Sequence, residues 1–256
     1  MRKAIALALL CVVQTVFAAD DGRWRFGTGV HYSTGTYGGT IDTTILAIPV
    51  NLRYETGPWV LKLSVPYLEI SGASTVIPGI GPVNGNNPRG GTVQSNASGI
   101  GDSTVSATYS AYYNPASRAG FDLTGKLKLA TGDENAGLGT GSNDVSMQID
   151  AYQGMEGYTL YGSFGYTIFG DSPIVDLQNV FYGYGGLSRR LNETDTLGFE
   201  IDLRQGASPA PLAQRELMGF YTRRFDRTWR GQAYLFKGFS DGSPDWGAGA
   251  TLAYSF

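Results

Sequence analysis

Cysteine is all but absent from this chain of 256 residues: the single thiol, Cys11, lies in the first apolar run. Once that run is read as a removable leader no cysteine remains, which excludes disulfides, thiolate metal sites and cysteine nucleophiles, although export itself permits disulfides. A long hydrophobic helix is missing too. Beyond the first 20 residues no stretch holds the roughly 18 uninterrupted apolar residues that a membrane-crossing helix needs, so any crossing must be made by strands. Positive charge is in deficit: the chain has 19 Lys and Arg against 22 Asp and Glu, and losing Arg2 and Lys3 with the leader widens the gap. Such a balance gives no support to a nucleic-acid partner.

What is plentiful is glycine, with 37, and tyrosine, with 16, while apolar residues reach only 42%. That balance suits strands wet on one face and lipid-facing on the other better than a water-soluble core. The N-terminus has the layout of a signal peptide over 1–18: Arg2 and Lys3 as a charged start, Ala4 to Val13 as the apolar run, and Val16-Phe17-Ala18 as the cleavage site. Leu10 before Cys11 is not the small residue that a lipoprotein attachment site requires. Residues 19–256 remain as one domain, with no repeat of 20 to 50 residues and no linker.

From Trp24 onward the sequence divides into segments with period-two alternation, near 24–36, 43–55, 59–70, 99–113, 120–130, 144–155, 157–169, 177–191, 195–205, 214–225, 228–239 and 246–256. In the last, Trp246, Ala248, Ala250, Leu252, Tyr254 and Phe256 share one face. Phe121, Leu123, Leu127 and Leu129 oppose Asp122, Thr124, Lys126 and Lys128, and Leu197, Phe199, Ile201 and Leu203 oppose Glu200, Asp202 and Arg204. A soluble sandwich can alternate in the same way, so loop lengths decide. Every second connection is a short turn, such as Thr56-Gly57-Pro58 or Asn192-Glu193-Thr194, and most of the others are longer, the longest being 71–98. Twelve strands with short turns at one end and long loops at the other are the plan of an all-β transmembrane antiparallel up-and-down β-barrel, with both termini at the periplasmic side. The location expected is the outer membrane, with outer-membrane lipids and lipopolysaccharide around the barrel. Leu252, Tyr254 and Phe256 at the end of the last strand resemble the signal read by the barrel assembly machinery. The 71–98 loop is expected either to be disordered or to fold inward as a partial plug.

Two stretches carry a family resemblance: Gly99-Ile100-Gly101-Asp102, and Lys126-Leu127-Lys128-Leu129-Ala130-Thr131-Gly132-Asp133 followed by Gly137-Leu138-Gly139-Thr140-Gly141-Ser142-Asn143-Asp144. Together they resemble the outer-membrane family named for the MetA pathway of phenol degradation, with its Gly-(Ile/Leu)-Gly-Asp turn and its Lys-x-x-x-Pro-Thr-Gly-Asp loop ending in Gly-x-Gly-Thr-Gly. Ala130 stands where that family usually has proline. The resemblance is close over roughly 99–150 and implies a barrel and a solute channel, with no particular substrate. Read without it, the loop is a turn that holds its own shape through Asp133, Thr140 and Asp144, or a hard-cation site of Asp133, Glu134 and Asp144.

The alternation places Arg25, Arg53, Lys62, Lys126, Lys128, Arg204, Arg224 and Arg230 on the lumen face with Asp122, Asp150, Glu200, Asp202 and Glu216. Two uses compete: cross-strand ion pairs that fill a narrow barrel, and a field that favours anionic solutes. His31 shares its face with Ser33, a spacing also met in lipid A deacylase barrels, but a lone histidine is better read as a polar lumen residue, so no catalytic residues are assigned. Trp24, Tyr54, Trp59, Tyr67, Tyr158, Trp229, Trp246 and Tyr254 are expected as interface anchors, and Tyr112, Tyr161 and Tyr234 as an inward aromatic track. The expected function is porin-like: passive uptake of small aromatic or anionic solutes, without cofactor or metal. A structural or adhesive barrel is the alternative, and a lipid-modifying enzyme comes third. Intact-mass measurement of the protein isolated from membranes is expected to find a chain that begins at Ala19; a chain that still carries 1–18 contradicts the leader.

Overall fold

The computed structural model describes residues 22–83, 94–208 and 212–256, so the leader expected over 1–18 lies outside the described residues. The strands, in chain order, are β1 (Arg23–Gly35), β2 (Thr43–Thr56), β3 (Trp59–Ala73), β4 (Val76–Ile77), β5 (Gly81–Pro82), β6 (Gln94–Ile100), β7 (Ser103–Asn114) and β8 (Ala119–Leu129). They continue with β9 (Asp144–Gly154), β10 (Tyr158–Ile168), β11 (Val180–Arg190), β12 (Asp195–Arg204), β13 (Gln214–Arg224), β14 (Trp229–Gly238) and β15 (Trp246–Ser255). Each long strand pairs antiparallel with its neighbours in sequence, and β1 pairs with both β2 and β15, so the sheet closes on itself. β6 and β7 both run along β3 and form one stave broken at Gly101-Asp102, which makes twelve staves in all. The seam is sealed at its foot by Phe256, whose N–H donates to Trp24 O at 2.9 Å while Trp24 N–H donates to Phe256 O at 3.1 Å.

The short turns have local causes. Gly157 takes φ 75°, a left-handed conformation that costs glycine little. Asn114, Asn192 and Asp226 each accept backbone N–H groups two and three residues on, closing Asx turns before the next strand. The N–H groups of Trp229 and Thr228 hold the Asp226 carboxyl below the usual carboxylate range. At the opposite end β3 runs to Ala73, past the expected 70, and its partner begins at Gln94, before the expected 99. The two continue as a ribbon, with Ser71 opposite Asn96.

The alternation sets the faces. Phe26, Val30, Leu52, Leu123, Phe164, Phe199, Ile201 and Leu235 point outward and are exposed, which in water would be a large apolar penalty and in lipid is the required surface. Aromatic pairs gather at the strand ends. Trp24 with Tyr54, Trp59 with Tyr109 and Trp229 with Tyr254 lie at the short-turn end, with ring centroids 4.5, 4.8 and 4.9 Å apart; Tyr32 with Trp246 lies at the long-loop end, 5.5 Å apart. The expected inward track needs a correction at Tyr112. A β-bulge between Ser110 and Tyr112 advances the side-chain parity by one, so Tyr112 faces out and stacks on Phe121 at 5.8 Å.

The segment after β3 folds inward. The small β4–β5 hairpin brings Val76 and Ile77 to 1% and 2% exposure. Val76 packs with Tyr37, Ile45, Leu68, Ile70 and Leu138, whereas Ile77, Ile80 and Val83 pack with Val175, Val180 and Ala207. Residues 74–83 thus form an apolar plug wedged between opposite walls at the long-loop end. Residues 84–93 lie outside the described residues.

Inside the barrel, aromatic rings lie flat over glycines directly opposite on the next strand: Tyr152 over Gly120, Tyr161 over Gly186, Tyr182 over Gly165, Phe220 over Gly198, Tyr234 over Gly249 and Phe236 over Gly247. A Cβ at Gly247 would run into the Phe236 ring and sit 2.6 Å from the carbonyl oxygen of Tyr32 across the seam. G247V is therefore expected to lower the stability of the folded barrel by about 1–3 kcal/mol. Guanidine unfolding in detergent reads this, and an unchanged midpoint refutes the close packing.

Candidate functional site

Two cavities occupy the lumen. The one at the long-loop end, about 930 Å³, is lined by the plug and by His31, Lys126, Lys128, Glu200, Asp202, Arg204, Glu216 and Tyr234, among others. The second, about 660 Å³, is lined by Arg53, Lys62, Asp122, Asp150 and Tyr161. Thr104, Lys126 and Tyr184 belong to both walls. Arg224 and Arg230 line a third recess of about 430 Å³ at the short-turn end. Arg25 lies on the face of His31 and donates from Nε to Ser255 Oγ at 3.1 Å.

The expected charges are brought together differently from the ion-pair reading. Within 4.0 Å none of the eight expected lumen cations pairs with any of the five expected lumen acids. The pairs that form use other carboxylates. Glu55 lies 3.6 Å from Arg25 and 2.7 Å from Arg53, and Lys128 lies 2.9 Å from Asp102 and 2.7 Å from Asp144. Both signals are visible in the sequence: Glu55 has the parity of Arg53, and Asp144 that of Asp150.

The Lys128 triad explains why the two motif stretches occur together. Asp102 also accepts the backbone N–H groups of Gly132 at 3.0 Å and Thr140 at 3.2 Å. Thr131 Oγ1 donates to Gly101 O at 2.8 Å. The Gly-Ile-Gly-Asp break between β6 and β7 is thus the socket in which the 131–143 loop is seated. Asp133 caps Asn135 and Ala136 in its own turn, and Asp144 accepts the N–H of Gly170. Among the described residues no group of three or more His, Cys, Asp or Glu could hold a metal; of the three carboxylates in the cation reading, Asp144 is paired with Lys128 and Asp133 is used in its own turn.

The remaining lumen charges form two facing groups. Lys62 on β3 and Lys126 on β8 stand on one side, and Glu200, Asp202 and Glu216 on β12 and β13 on the other. Lys126 Nζ donates to Gln148 Oε1 at 2.6 Å and lies 5.5 Å from the centre of the Tyr182 ring. Gln148 and Tyr184 donate to Asp150 at 2.6 and 2.7 Å, and Ser110 donates to Asp122 at 2.7 Å. Three residues central to this ladder lack a signal in the sequence: Tyr182 and Tyr184, because aromatics on both parities blur the alternation of β11, and Gln148 of β9, because an uncharged polar side chain does not stand out on a polar face. Arg204 donates from Nη1 to Gly79 O and covers Phe169, and Gln214 donates to Ile80 O at 3.3 Å, so the plug is moored to the acidic wall.

His31 hydrogen-bonds through Nδ1 to Tyr234 Oη at 2.9 Å and stacks on Phe236 at 5.5 Å. Its bond is to Tyr234, not Ser33. Ser33 is instead the hydrogen-bond partner of Tyr37, whose hydroxyl burial pushes up to about 12.

A closed twelve-stave barrel with an apolar outer band, two aromatic girdles and a polar lumen defines an outer-membrane β-barrel. No family model matches the chain, and no curated protein matches it. Solved structures do. The COG4313 outer membrane channel from Pseudomonas putida F1 superposes with a TM-score of 0.74 at 14% identity, covering 93% of this chain and 97% of that one. A KdgM porin gives 0.56 at 9% identity, over 91% of this chain and 99% of the other. The translocator domain of the autotransporter NalP from Neisseria meningitidis gives 0.53 at 14% identity, over 98% and 95%. The likeness extends over the whole barrel and is one of fold.

Removing Lys128 while its two carboxylates stay in place leaves uncompensated charge in a site where Asp144 is 4% exposed. K128M is expected to destabilise the barrel by about 3 kcal/mol. K128M/D144N should recover part of the loss, and chemical unfolding that finds the single and double variants equally stable contradicts the triad.

Proposed function

We propose that the protein is an outer-membrane channel for the passive passage of small solutes, anionic or aromatic, with no catalytic cycle. The observation that carries this reading is the pair of lumen cavities that share Thr104, Lys126 and Tyr184, in which, among the described residues, no carboxylate lies within 4.0 Å of Lys62 or Lys126 although Asp122 and Asp150 line the same wall. A cation in a narrow wall attracts anions, and the rings of Tyr161, Tyr182, Tyr184 and Tyr234 offer flat apolar faces beside it. The same pairing suits an aromatic carboxylate. Support also comes from the similarity to a solved outer membrane channel, and from the motifs shared with the phenol-degradation family, to which we assign the chain on those residues. The precursor is read as exported and cut after Ala18, and Leu252, Tyr254 and Phe256 as the face offered to the assembly machinery.

Planar-bilayer recording tests the reading. The purified barrel is expected to conduct, with preference for anions, and K62E/K126E to move the reversal potential toward cation preference. Deleting 74–83 is expected to raise the conductance, since that segment fills the long-loop end. An electrically silent wild type and an equally silent deletion variant overturn the channel.

A further inference from the structure

Like charges directly opposite on neighbouring strands repel and are destabilising unless something neutral or opposite lies between them. The lumen face has two such arginine pairs near the short-turn end: Arg25 opposite Arg53, and Arg224 opposite Arg230. The first is resolved internally, because the Glu55 carboxylate reaches both guanidinium groups. The second has no such group. Among the described residues no carboxylate comes within 4.0 Å of Arg224 or Arg230. Glu193, beside them, contributes its backbone carbonyl, which accepts from Arg224 Nη2 at 2.9 Å. Arg190 of β11 faces the same recess, whose remaining lining is Glu193 and the hydroxyl-bearing Thr194, Thr196 and Thr222, so three guanidinium groups stand against one acid. The recess, about 430 Å³, falls within the size range of small-ligand sites.

Three guanidinium groups and hydroxyl donors around an open recess are the donor set for an oxyanion with several acceptor oxygens, since guanidinium binds carboxylate and phosphate through paired N–H bonds. We propose that this recess is an anion-binding site at the periplasmic mouth, formed by Arg190, Arg224 and Arg230. It takes a soluble multivalent oxyanion, phosphate- or carboxylate-bearing, that stands between Arg224 and Arg230 as Glu55 stands between Arg25 and Arg53. Arg224 and Arg230 lie on the lumen face, so the occupant arrives through water rather than from the surrounding lipid. The site does not depend on conduction.

The probe is inorganic pyrophosphate, titrated calorimetrically into the full barrel in a neutral detergent at low ionic strength, where charge interactions are least screened. One site per chain is expected, with affinity falling roughly tenfold or more in R224Q and in R230Q, as loss of one charge-assisted partner implies. R189Q, on the outer face over the Tyr158 ring, should bind as the wild type does. A second readout guards against misfolding. Without anion R230Q is expected to unfold at a higher temperature than the wild type, because a repulsion is gone, and pyrophosphate should raise the wild-type midpoint but not that of R224Q/R230Q. Equal affinity in the wild type and R224Q/R230Q overturns the site. So does stabilisation by pyrophosphate no greater than that by sodium chloride at the same ionic strength. Neither readout needs a current, so a barrel that fails to conduct leaves the result interpretable.

Discussion

In hydrocarbon there is no water to receive an unpaired peptide group, and each one left open costs several kcal/mol. The rest of this molecule depends on that constraint. It forbids a free edge, and the pairing of β1 with β15 removes both edges that an open meander of antiparallel strands would leave. Closure in turn fixes which side chains share an interior. Arg25, the fixed end of one wall, meets Ser255 of the last strand only because the first and last strands are neighbours. The long staves tolerate local irregularity where side chains repair it. At Gly101-Asp102, where the fourth stave is interrupted, Gly101 N–H still finds Pro66 O at 2.9 Å, and Asp102 and Thr131 satisfy the groups around the break.

A narrow closed barrel also needs its interior filled, and here flat rings and polar ladders fill different parts. Six aromatic side chains cover glycines on the adjacent strand, a cross-strand pairing that keeps bulk close to the wall. This is the physical use of six of the 37 glycines and four of the 16 tyrosines. Apolar burial in the usual sense is confined to the long-loop end, where the β4–β5 hairpin supplies the core that the staves themselves lack.

Much of this was legible in the chain because side-chain direction in a strand has period two, so a single exposed or charged residue fixes the face of all the others. The twelve segments follow from that rule, and the alternation of short turns and long loops turns it into outward aromatics and inward charges. It fails wherever the count slips. Tyr112 was read inward because nothing in Ser110-Ala111-Tyr112 marks the bulge, and the bulge changes every parity after it. That cross-strand ion pairs form with other carboxylates than those the alternation singles out has a different cause. Parity gives a face but not a height, and in a tilted barrel two lumen charges on neighbouring strands meet only if the stagger brings them level. Glu55 meets Arg53 two residues away on its own strand, whereas Glu200 and Lys126, on distant strands, do not pair. The plug was one of two outcomes left open for 71–98. Over 74–83 what decides it is the burial of Val76, Ile77, Ile80 and Val83 against walls that no local pattern reveals.

The lumen cations therefore divide by neighbourhood rather than by number. Arg25 and Arg53 are held by Glu55, Lys128 by Asp102 and Asp144, and Arg204 by the carbonyl of the plug. These four build the barrel. Among the described residues no carboxylate lies within 4.0 Å of Lys62, Lys126 or the three arginines at the short-turn end; the lysines line the second cavity together with Asp122 and Asp150, and the arginines line the recess at the mouth. An excess of eight cations over five acids, counted without position, describes neither group. Lys128, Arg204 and Arg53 line the cavities as well, but with their charge already engaged, and the plug beside them is held by two apolar clusters and by Arg204 and Gln214, outside the backbone ladder that closes the staves.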